Sequence, residues 1–503
     1  MSSLHFYNSL TRKKEVFNSL IPGRVGMYVC GPTVSGESHL GHARPFITFD
    51  IVYRYLRHLG YQVRYVRNIT DAGHFEEEGR ESEDKISKKA VIEKLEPMEL
   101  VQKYTNLFHW AMRAFNNIEP SIEPTATGHI VEQIVMIEKI IADGYAYVTN
   151  GSVYFDVEKY HRDFGAKGTP YGILSGRVLE EQLETTRELE SQEEKRNKSD
   201  FALWKNAAPE HIMRWQSPWG LGFPGWHIEC SAMSTKYLGE EFDIHGGGMD
   251  LQFPHHECEI AQSTVCNHRI PAKFWLHNNM ITINGRKMGK SYNNVIKLSE
   301  LFSGSHEILS QAYSPMTVRF FILQTHYRST LDFSNDALQA AEKGLRRICD
   351  ALSLLNKFDL SSGNDLAEDP ELDQQCNQLL NTLDEDMNDD LNTAKVLAGL
   401  FELVPTINSI KDGHISMKAL SRATLMLMQS RFNTFLIDIF GLKDEREQSD
   451  EKLSSVLKLI SDIRKDARAK KDFATSDKIR NQLLDAGIQL KDDKDGGVSW
   501  EFV

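Results

Sequence analysis

The sequence predicts an α/β fold: a parallel sheet with crossover helices, followed by an all-α region and a small C-terminal unit. Three observations carry this. Arg24 to Pro32 (RVGMYVCGP) is an apolar run closed by a Gly-Pro turn, the pattern of a buried strand. Phe49, Val52, Tyr53 and Leu56 then recur at helical spacing as far as Gly60, and Gln62 to Ile69 (QVRYVRNI) reads as a second strand. Strand–helix–strand in this order implies parallel pairing through a right-handed crossover. From Ser334 onward strand signals fade, and helical periodicity dominates to about Phe440.

The remaining segments follow in order. Glu76 to Glu83 is acidic and reads as an exposed loop. Ile130, Ile134, Ile137 and Ile141 form a helical stripe that stops near Gly144, and Val153 to Val157 reads as a strand. Glu180 to Lys198 is highly charged, an exposed helix or linker. Phe223 to Ile260 returns to strand–turn–helix, with Gly246-Gly247-Gly248 as the turn. Glu445 to Glu451 reads as a flexible charged linker, and the chain closes with a helical stretch and an apolar strand, Val498 to Phe502.

Composition bounds the function. A chain of 503 residues is too long for one core, so several domains are expected. With 41% apolar and 26% charged residues, wholesale disorder is excluded. No apolar run reaches the roughly 18 residues of a membrane span, and Met1 to Leu20 carries Arg12, Lys13, Lys14 and Glu15, so neither a span nor a secretory leader is expected. Cys30, Cys230, Cys258, Cys266, Cys349 and Cys376 are too sparse for a disulfide scaffold, which points to a reducing, cytoplasmic setting. A net charge of −13 argues against non-specific coating of nucleic acid. Lys458, Arg464, Lys465, Arg468, Lys470, Lys471 and Lys478 nevertheless cluster near the C-terminus, as a solvated helix or a nucleic-acid contact.

Two motifs suggest phosphate chemistry. His39-Leu40-Gly41-His42 stands at the start of the first helix, where free N–H groups and the helix dipole attract anions. Gly41 lets a flat ring lie against the backbone. Lys287-Met288-Gly289-Lys290-Ser291 follows the strand and turn Ile281 to Gly285, and two lysines on a loop can neutralise charge that builds during phosphoryl transfer. Either motif alone is weak: the histidines could be structural and the lysines an exposed basic turn.

A third signal is metal-like. Cys30, Cys230, His255 and Glu259 offer the sulfur, nitrogen and oxygen donors that zinc accepts. If the stretch is helical, the i, i+4 spacing of His255 and Glu259 puts them on one face. Cys258 is a rival donor, Cys30 and Cys230 could be buried structural thiols, and His256 and Glu257 could support the ligands or lie on the surface.

The pairing of the histidine and lysine motifs resembles the class I aminoacyl-tRNA synthetases. Further stretches narrow the resemblance to the cysteinyl-tRNA synthetase family, from about Leu4 to Trp500: CGPTV at Cys30, HLGHAR at His39, YVRNITD at Tyr65, KRNKSDFALWK at Lys195, SPWG at Ser217, PGWHIECSAM at Pro224, FDIHGGGMDLQFPHHECEIAQS at Phe242 and HYRS at His326. The resemblance implies a Rossmann-type catalytic domain at 1–285 with a connective insertion at roughly 120–214. It also implies a stem-contact region at 286–345, a helical bundle at 346–444 and an anticodon-binding unit at 445–503.

By the same resemblance the enzyme activates L-cysteine with ATP and Mg2+ and transfers it to tRNA(Cys), acting as a monomer. His39, Gly41, His42, Lys287 and Lys290 would bind ATP, the histidines and lysines serving catalysis. Cys30, Cys230, His255 and Glu259 would hold one Zn2+, with Trp226, Thr70 and His245 lining the cysteine pocket. Arg468, Phe473, Asp477 and Asp492 would meet anticodon bases, unless Phe473 is core. Cys258 falls where the family has asparagine, which removes it from the ligand set.

There are two departures. Gly289 stands where the family has serine, which loosens the loop and leaves both lysines in place. Thr70-Asp71 is followed by Ala72-Gly73-His74 and the acidic loop before Asp84-Lys85-Ile86, an insertion beside the site. Two other readings share these motifs. Ligases that join cysteine to an amino sugar have a similar catalytic half without the helical tail, and a non-catalytic paralogue would keep only binding.

Overall fold

The computed structural model describes residues 3–72, 86, 89–90, 93, 95–177, 194–209, 211–289, 292–360, 364–470, 472–485, 488–492 and 498–502. They divide into two compact units, Met1–Leu442 and Lys443–Val503. The acidic insertion, most of Glu180 to Lys198, and Lys290 lie outside the described residues.

The first unit is organised by four parallel strands: β1 (Arg24–Val29), β2 (Gln62–Arg67), β3 (Phe242–Gly248) and β4 (Ala272–Asn278). Their order is β4-β3-β1-β2, with Val29 opposite both Gly246 and Arg67. The expected crossover is α1 (Leu40–His58), whose Phe49, Val52, Tyr53 and Leu56 are all buried. The chain leaves it through Gly60, which holds φ +90°, a conformation suited to a residue without Cβ. Two further helices flank the sheet, α2 (Trp226–Leu238) and α3 (Glu257–Asn267).

The turn expected at Gly246-Gly247-Gly248 is instead the end of β3, paired with Leu276, His277 and Asn278 of β4. The glycines are there for clearance. A Cβ on Gly246 would overlap the Phe49 ring of α1, and one on Gly247 would lie 2.9 Å from His256 Cε1.

Residues 146–224 carry a five-stranded antiparallel sheet. Its core includes Ile137 and Ile140 of the preceding helix with Phe155, Tyr160, Phe164 and Trp204. Within the expected stripe Ile130 and Ile137 are buried, while Ile134 and Ile141 are half-buried at the edge. The strand expected to reach Val157 stops at Phe155, because Asp156 accepts the Lys159 N–H at 2.9 Å and caps a helix beginning at Val157.

Three short strands follow the sheet, Ile281–Ile283, Arg286–Lys287 and Leu331–Phe333, with α4 (Pro315–Leu323) between them; from Ser334 the first unit is helical, as expected: α5 (Asn335–Lys357), α6 (Pro370–Asn388), α7 (Thr393–Lys411) and α8 (Arg422–Phe432). Each of these helices starts behind a Ser, Asp or Asn whose side chain accepts a backbone N–H in the first turn: Ser314, Ser334, Asp369, Asn392 and Ser421. A buried cation fastens α4 to the crossover helix α1. Arg319 of α4 donates to Asp50 of α1, to Phe440 O at 2.5 Å, to Phe115 O at 2.9 Å and to Asn117 Oδ1 at 2.7 Å. Asp50 also accepts from Arg54 Nε and the Ile118 N–H, each at 2.8 Å.

The second unit contains α9 (Glu445–Ala469), α10 (Phe473–Asp485) and the antiparallel strands Ile488–Asp492 and Val498–Phe502. The linker expected at Glu445 to Glu451 is thus the first part of α9. Asp444 caps it by accepting the Arg446 N–H at 3.0 Å, and acids near a helix start are favoured by its dipole.

Removing the Asp50 carboxylate strands the Arg319 cation in the core. Asp50→Ala is expected to cost about 3–5 kcal/mol in denaturant unfolding of the full chain. A loss below about 1 kcal/mol would show that this ion pair does not hold α4 to α1.

Candidate active site

At the ends of β1 and β3 several remote segments converge. Cys30 follows β1, with its N–H on Gly246 O of β3 at 3.1 Å. Cys230 comes from the first turns of α2, His255 from the kinked turn Gln252–His256, and Glu259 from the start of α3. All four are buried, and their donor atoms lie within 4.8 Å of one another. Cys30 Sγ is 3.8 Å from Cys230 Sγ and 3.7 Å from Glu259 Oε1; His255 Nε2 is 3.2 Å from Glu259 Oε1. Cys30, His245, His256 and Glu259 form a second, overlapping group of the same compactness.

The surroundings orient these side chains. His245 Nε2 donates to Glu259 Oε2 at 2.9 Å, and its ring stacks on Trp275 with centroids 4.5 Å apart. His256 Nε2 lies 3.3 Å from Cys30 Sγ, while its Nδ1 pairs with His277 Nε2 at 2.8 Å. His277 Nδ1 in turn meets Ser9 Oγ at 2.8 Å. Asn68 Oδ1 accepts the Gly31 N–H at 2.9 Å, and its Nδ2 donates to Thr70 Oγ1 at 3.0 Å. Thr70 donates to Glu229 Oε2 at 3.0 Å. The Trp226 ring lies 4.4 Å from that of His255.

The electrostatics of the cluster favour a positive charge among anions. Burial opposes charge on His255, yet Cys230 and Glu259 outweigh it and push the imidazole up to about 10. Burial would also raise Glu259, but His245 and His255 hold it down at about 2. Burial lifts the Cys30 thiol well above its ordinary range, with Cys230 adding to the effect. For Cys230 burial is outweighed by the hydrogen bond from Cys30 and by His255, leaving that thiol lowered.

At the start of α1 the rings of His39 and His42 stack, centroids 3.8 Å apart, and His42 Nδ1 accepts the His39 N–H at 3.2 Å. Burial and the neighbouring His39 push His42 down to about 3, so it stays neutral. The lysine-motif loop lies against this turn: a Cβ on Gly41 would come 2.5 Å from Met288 Cε. Lys287 is exposed at the end of a short strand, and Asn294 braces the loop, accepting the Gly289 N–H at 2.8 Å and donating to Lys287 O at 3.1 Å.

Comparison with known proteins supplies the identity. The family described as tRNA synthetases class I (C) catalytic domain matches residues 16–343, and the DALR domain matches residues 382–443. The chain is 55% identical to the cysteine–tRNA ligase of Porphyromonas gingivalis, 57% to that of Bacteroides fragilis and 45% to that of Chlorobaculum tepidum, covering 99% of each chain in every case. The chain belongs to the cysteine–tRNA ligase family.

It is therefore an ATP-dependent class I aminoacyl-tRNA synthetase that joins cysteine to tRNA. At the level of fold, a Mycobacterium tuberculosis methionyl-tRNA synthetase bound by methionyl-adenylate superposes with a TM-score of 0.59 at 13% identity, over 83% of this chain and 92% of that one. No helix among the described residues is long and apolar enough to cross a membrane.

The structure brings Cys30, Cys230, His255 and Glu259 together, with Thr70, Trp226 and His245 around them. Cys258 is buried 3.3 Å from the Tyr171 hydroxyl and belongs to neither donor group. His256 and Glu257 are buried, which removes the surface alternative; Glu257 Oε2 accepts the Leu174 and Ser175 N–H groups at 3.1 and 2.9 Å.

Sequence reasoning missed Ser9, Asn68, Glu229 and His277, whose roles arise only from packing. In the ligase's second unit Phe473 is 61% exposed at the start of α10, not core. Arg468 is also exposed, Asp477 pairs with Arg480 at 3.4 Å, and Asp492 lies on a strand, its side chain outside the described residues. Within the basic stretch Arg464 is buried, whereas Lys458, Lys465, Lys470 and Lys478 are exposed.

Two desolvated histidines set an acid limit, His277 buried and His42 half-buried. Burial pushes His42 and His277 down to about 3 from an ordinary 6.5. Between those values the unfolded chain binds more protons than the folded one, so stability is full above about pH 6.5 and is lost as pH falls toward 3. Denaturant midpoints measured from pH 8 to 4 should decline below about 6.5, and less steeply for His42→Asn. An unchanged slope in that variant would exclude His42 as a contributor.

Proposed function

We propose that Cys30, Cys230, His255 and Glu259 hold one Zn2+ in the amino-acid pocket, and that this centre selects cysteine by its sulfur. The observation that supports the reading most is the spacing of the donors. A tetrahedral zinc with sulfur at about 2.3 Å and nitrogen or oxygen at about 2.1 Å has edges of about 3.8 Å between sulfurs, 3.6 Å between sulfur and oxygen, and 3.4 Å between nitrogen and oxygen. The corresponding distances here are 3.8, 3.7 and 3.2 Å. The overlapping group fits less well, because His256 Nε2 is 4.0 Å from Glu259 Oε1 and His245 already donates to that carboxylate.

When bound, zinc supplies a Lewis-acidic centre that stabilises a thiolate and discriminates strongly against a hydroxyl. A pocket that judged size alone would admit serine, which is smaller. The chain's own residues supply the rest. His245 keeps the Glu259 carboxylate ionised and aimed. Trp226 walls the pocket, and Thr70, fixed by Asn68 and Glu229, lines it. Selection at this step leaves no need for an editing domain.

In activation the substrate carboxylate attacks the α-phosphorus of ATP in line, giving cysteinyl-adenylate and pyrophosphate, with Mg2+ accompanying the nucleotide. His39 and His42 hold the phosphates, the backbone at Gly41 takes the flat base, and Lys287 and Lys290 neutralise charge as pyrophosphate leaves. The terminal adenosine of tRNA(Cys) then takes the cysteinyl group. Arg468, Phe473, Asp477 and Asp492 meet the anticodon. Exposure of Phe473 supports stacking on a splayed base. We assign the enzyme to the cytoplasm as a monomer.

Cys230→Ser should lose zinc and cysteine affinity together, read by metal analysis and by cysteine-dependent pyrophosphate exchange. Full zinc with unchanged exchange in that variant would overturn the ligand assignment. Lys287→Ala should slow exchange on the order of a hundredfold with folding intact. A near-normal rate would remove that lysine from the mechanism.

A further inference from the structure

Arg44 belongs to the HLGHAR stretch but does not face the phosphate site. It lies two residues beyond His42 on α1, and its side chain is 1% exposed. Among the described residues it faces no carboxylate partner. Nη1 donates to Met280 O at 2.6 Å, and Nη2 donates to His326 O at 3.2 Å and to Ser329 O. Burial without a counter-charge pushes this guanidinium down to about 10. Holding a cation on backbone carbonyls alone is a costly way to pack a helix, since an apolar side chain of similar volume avoids the desolvation. A planar fork of donors does fix three carbonyls in one geometry, and that positional constraint is what the arrangement provides.

The carbonyls it fixes belong to the base of the lysine-motif loop. Met280 immediately precedes the strand Ile281–Ile283, which turns at Asn284-Gly285 into Arg286–Lys287. His326 and Ser329 form the turn before Leu331–Phe333, which pairs in parallel with Ile281–Ile283. The far end of the loop is tied to the same helix start. Ile296 O accepts the Leu40 N–H at 2.9 Å, and Ser38 O accepts the Leu298 N–H at 2.9 Å. The loop therefore leaves from a strand clamped by Arg44 and returns to the backbone beside His39.

A second group grips the clamped turn from the helical side. Asp390, fully buried between α6 and α7, accepts from Tyr327 Oη at 2.7 Å and Arg328 Nε at 2.6 Å, with His326 Nε2 3.6 Å away. It also accepts the Tyr7 N–H at 2.8 Å. Asp390 and Leu391 both hold positive φ, +64° and +56°, so the backbone is strained where the carboxylate is presented.

We propose that Arg44 is a positioning residue for cysteine activation: it sets the separation between the His39/His42 turn and the Lys287 loop, acting through the 326–329 turn that Asp390 holds from the other side. The inference rests on the assignment of those two motifs to ATP. Zinc and the cysteine pocket lie on other segments and take no part in it.

The test uses the full-length enzyme and pyrophosphate exchange, with kcat and both KM values, bound zinc and Tm. Arg44→Lys keeps the charge but cannot span three carbonyls. Its kcat should fall by about tenfold or more, since misplacement by an ångström costs up to about a hundredfold. KM for cysteine and zinc content should be unchanged. Asp390→Asn should move kcat in the same direction by a smaller factor, and it keeps the proposal testable if Arg44→Lys does not fold. Arg319→Lys, at the buried cation that bonds Asp50, Phe115, Asn117 and Phe440 and none of the three clamped carbonyls, should lower Tm without lowering kcat of the folded enzyme. A folded Arg44→Lys with kcat within about twofold of the parent, or with cysteine KM worsened in step with kcat, overturns the proposal. If Lys287→Ala also exchanges at the parent rate, it is the motif assignment that has failed; if only Arg44→Lys is silent, this inference alone has failed.

Discussion

The donor cluster depends on the register of three parallel strands. Val29 sits opposite Gly246 and Arg67, so β1 and β2 finish together, β3 runs two residues further, and the residues after them share one edge. Cys30 emerges from β1, Asn68 and Thr70 from β2, and the segment with His255 and Glu259 from β3. Open α/β sheets place ligand sites at this carboxyl edge because the strands stop there and the connections diverge. The glycines of β3 permit the approach, keeping that strand thin enough for Phe49 on one side and His256 on the other.

Charge balance is the second constraint. Two sulfurs, a carboxylate and an imidazole lie within 4.8 Å of one another, all buried, and the Glu259 carboxylate and the lowered Cys230 thiol draw positive charge toward the centre. His245 on Glu259, and the Ser9–His277–His256 chain beside Cys30, add donors around it and restrict its rotamers. Such outer partners fix which nitrogen of each histidine carries a proton and hold the inner side chains ready.

Buried arginines tie helix α1 to the segments beyond the sheet by different means. Arg319 is paired with Asp50 and serves cohesion. Arg44 is held on carbonyls and meets the strand that leads to the lysine loop. The contrast separates a fastening that could be replaced by apolar packing from one whose geometry matters.

From the sequence alone came the parallel crossover, the helical region beyond Ser334, the histidine and lysine motifs and the four candidate donors. These are local patterns or motif matches: periodicity records which face is buried, and a motif records residue types at fixed spacing. The errors have physical causes of the same locality. Three consecutive glycines read as a turn because the Phe49 ring against them lies far away in sequence, and a charged run read as a linker although its cap and acids start a helix. Only the tertiary structure decided that Cys30 and Cys230, two hundred residues apart, lie 3.8 Å from each other, or that His277 and Ser9 stand behind them. It alone showed that Arg44 holds the base of a distant loop. Composition and periodicity carry no information about pairing between remote segments; strand register and helix packing create those distances, and the chemistry depends on them.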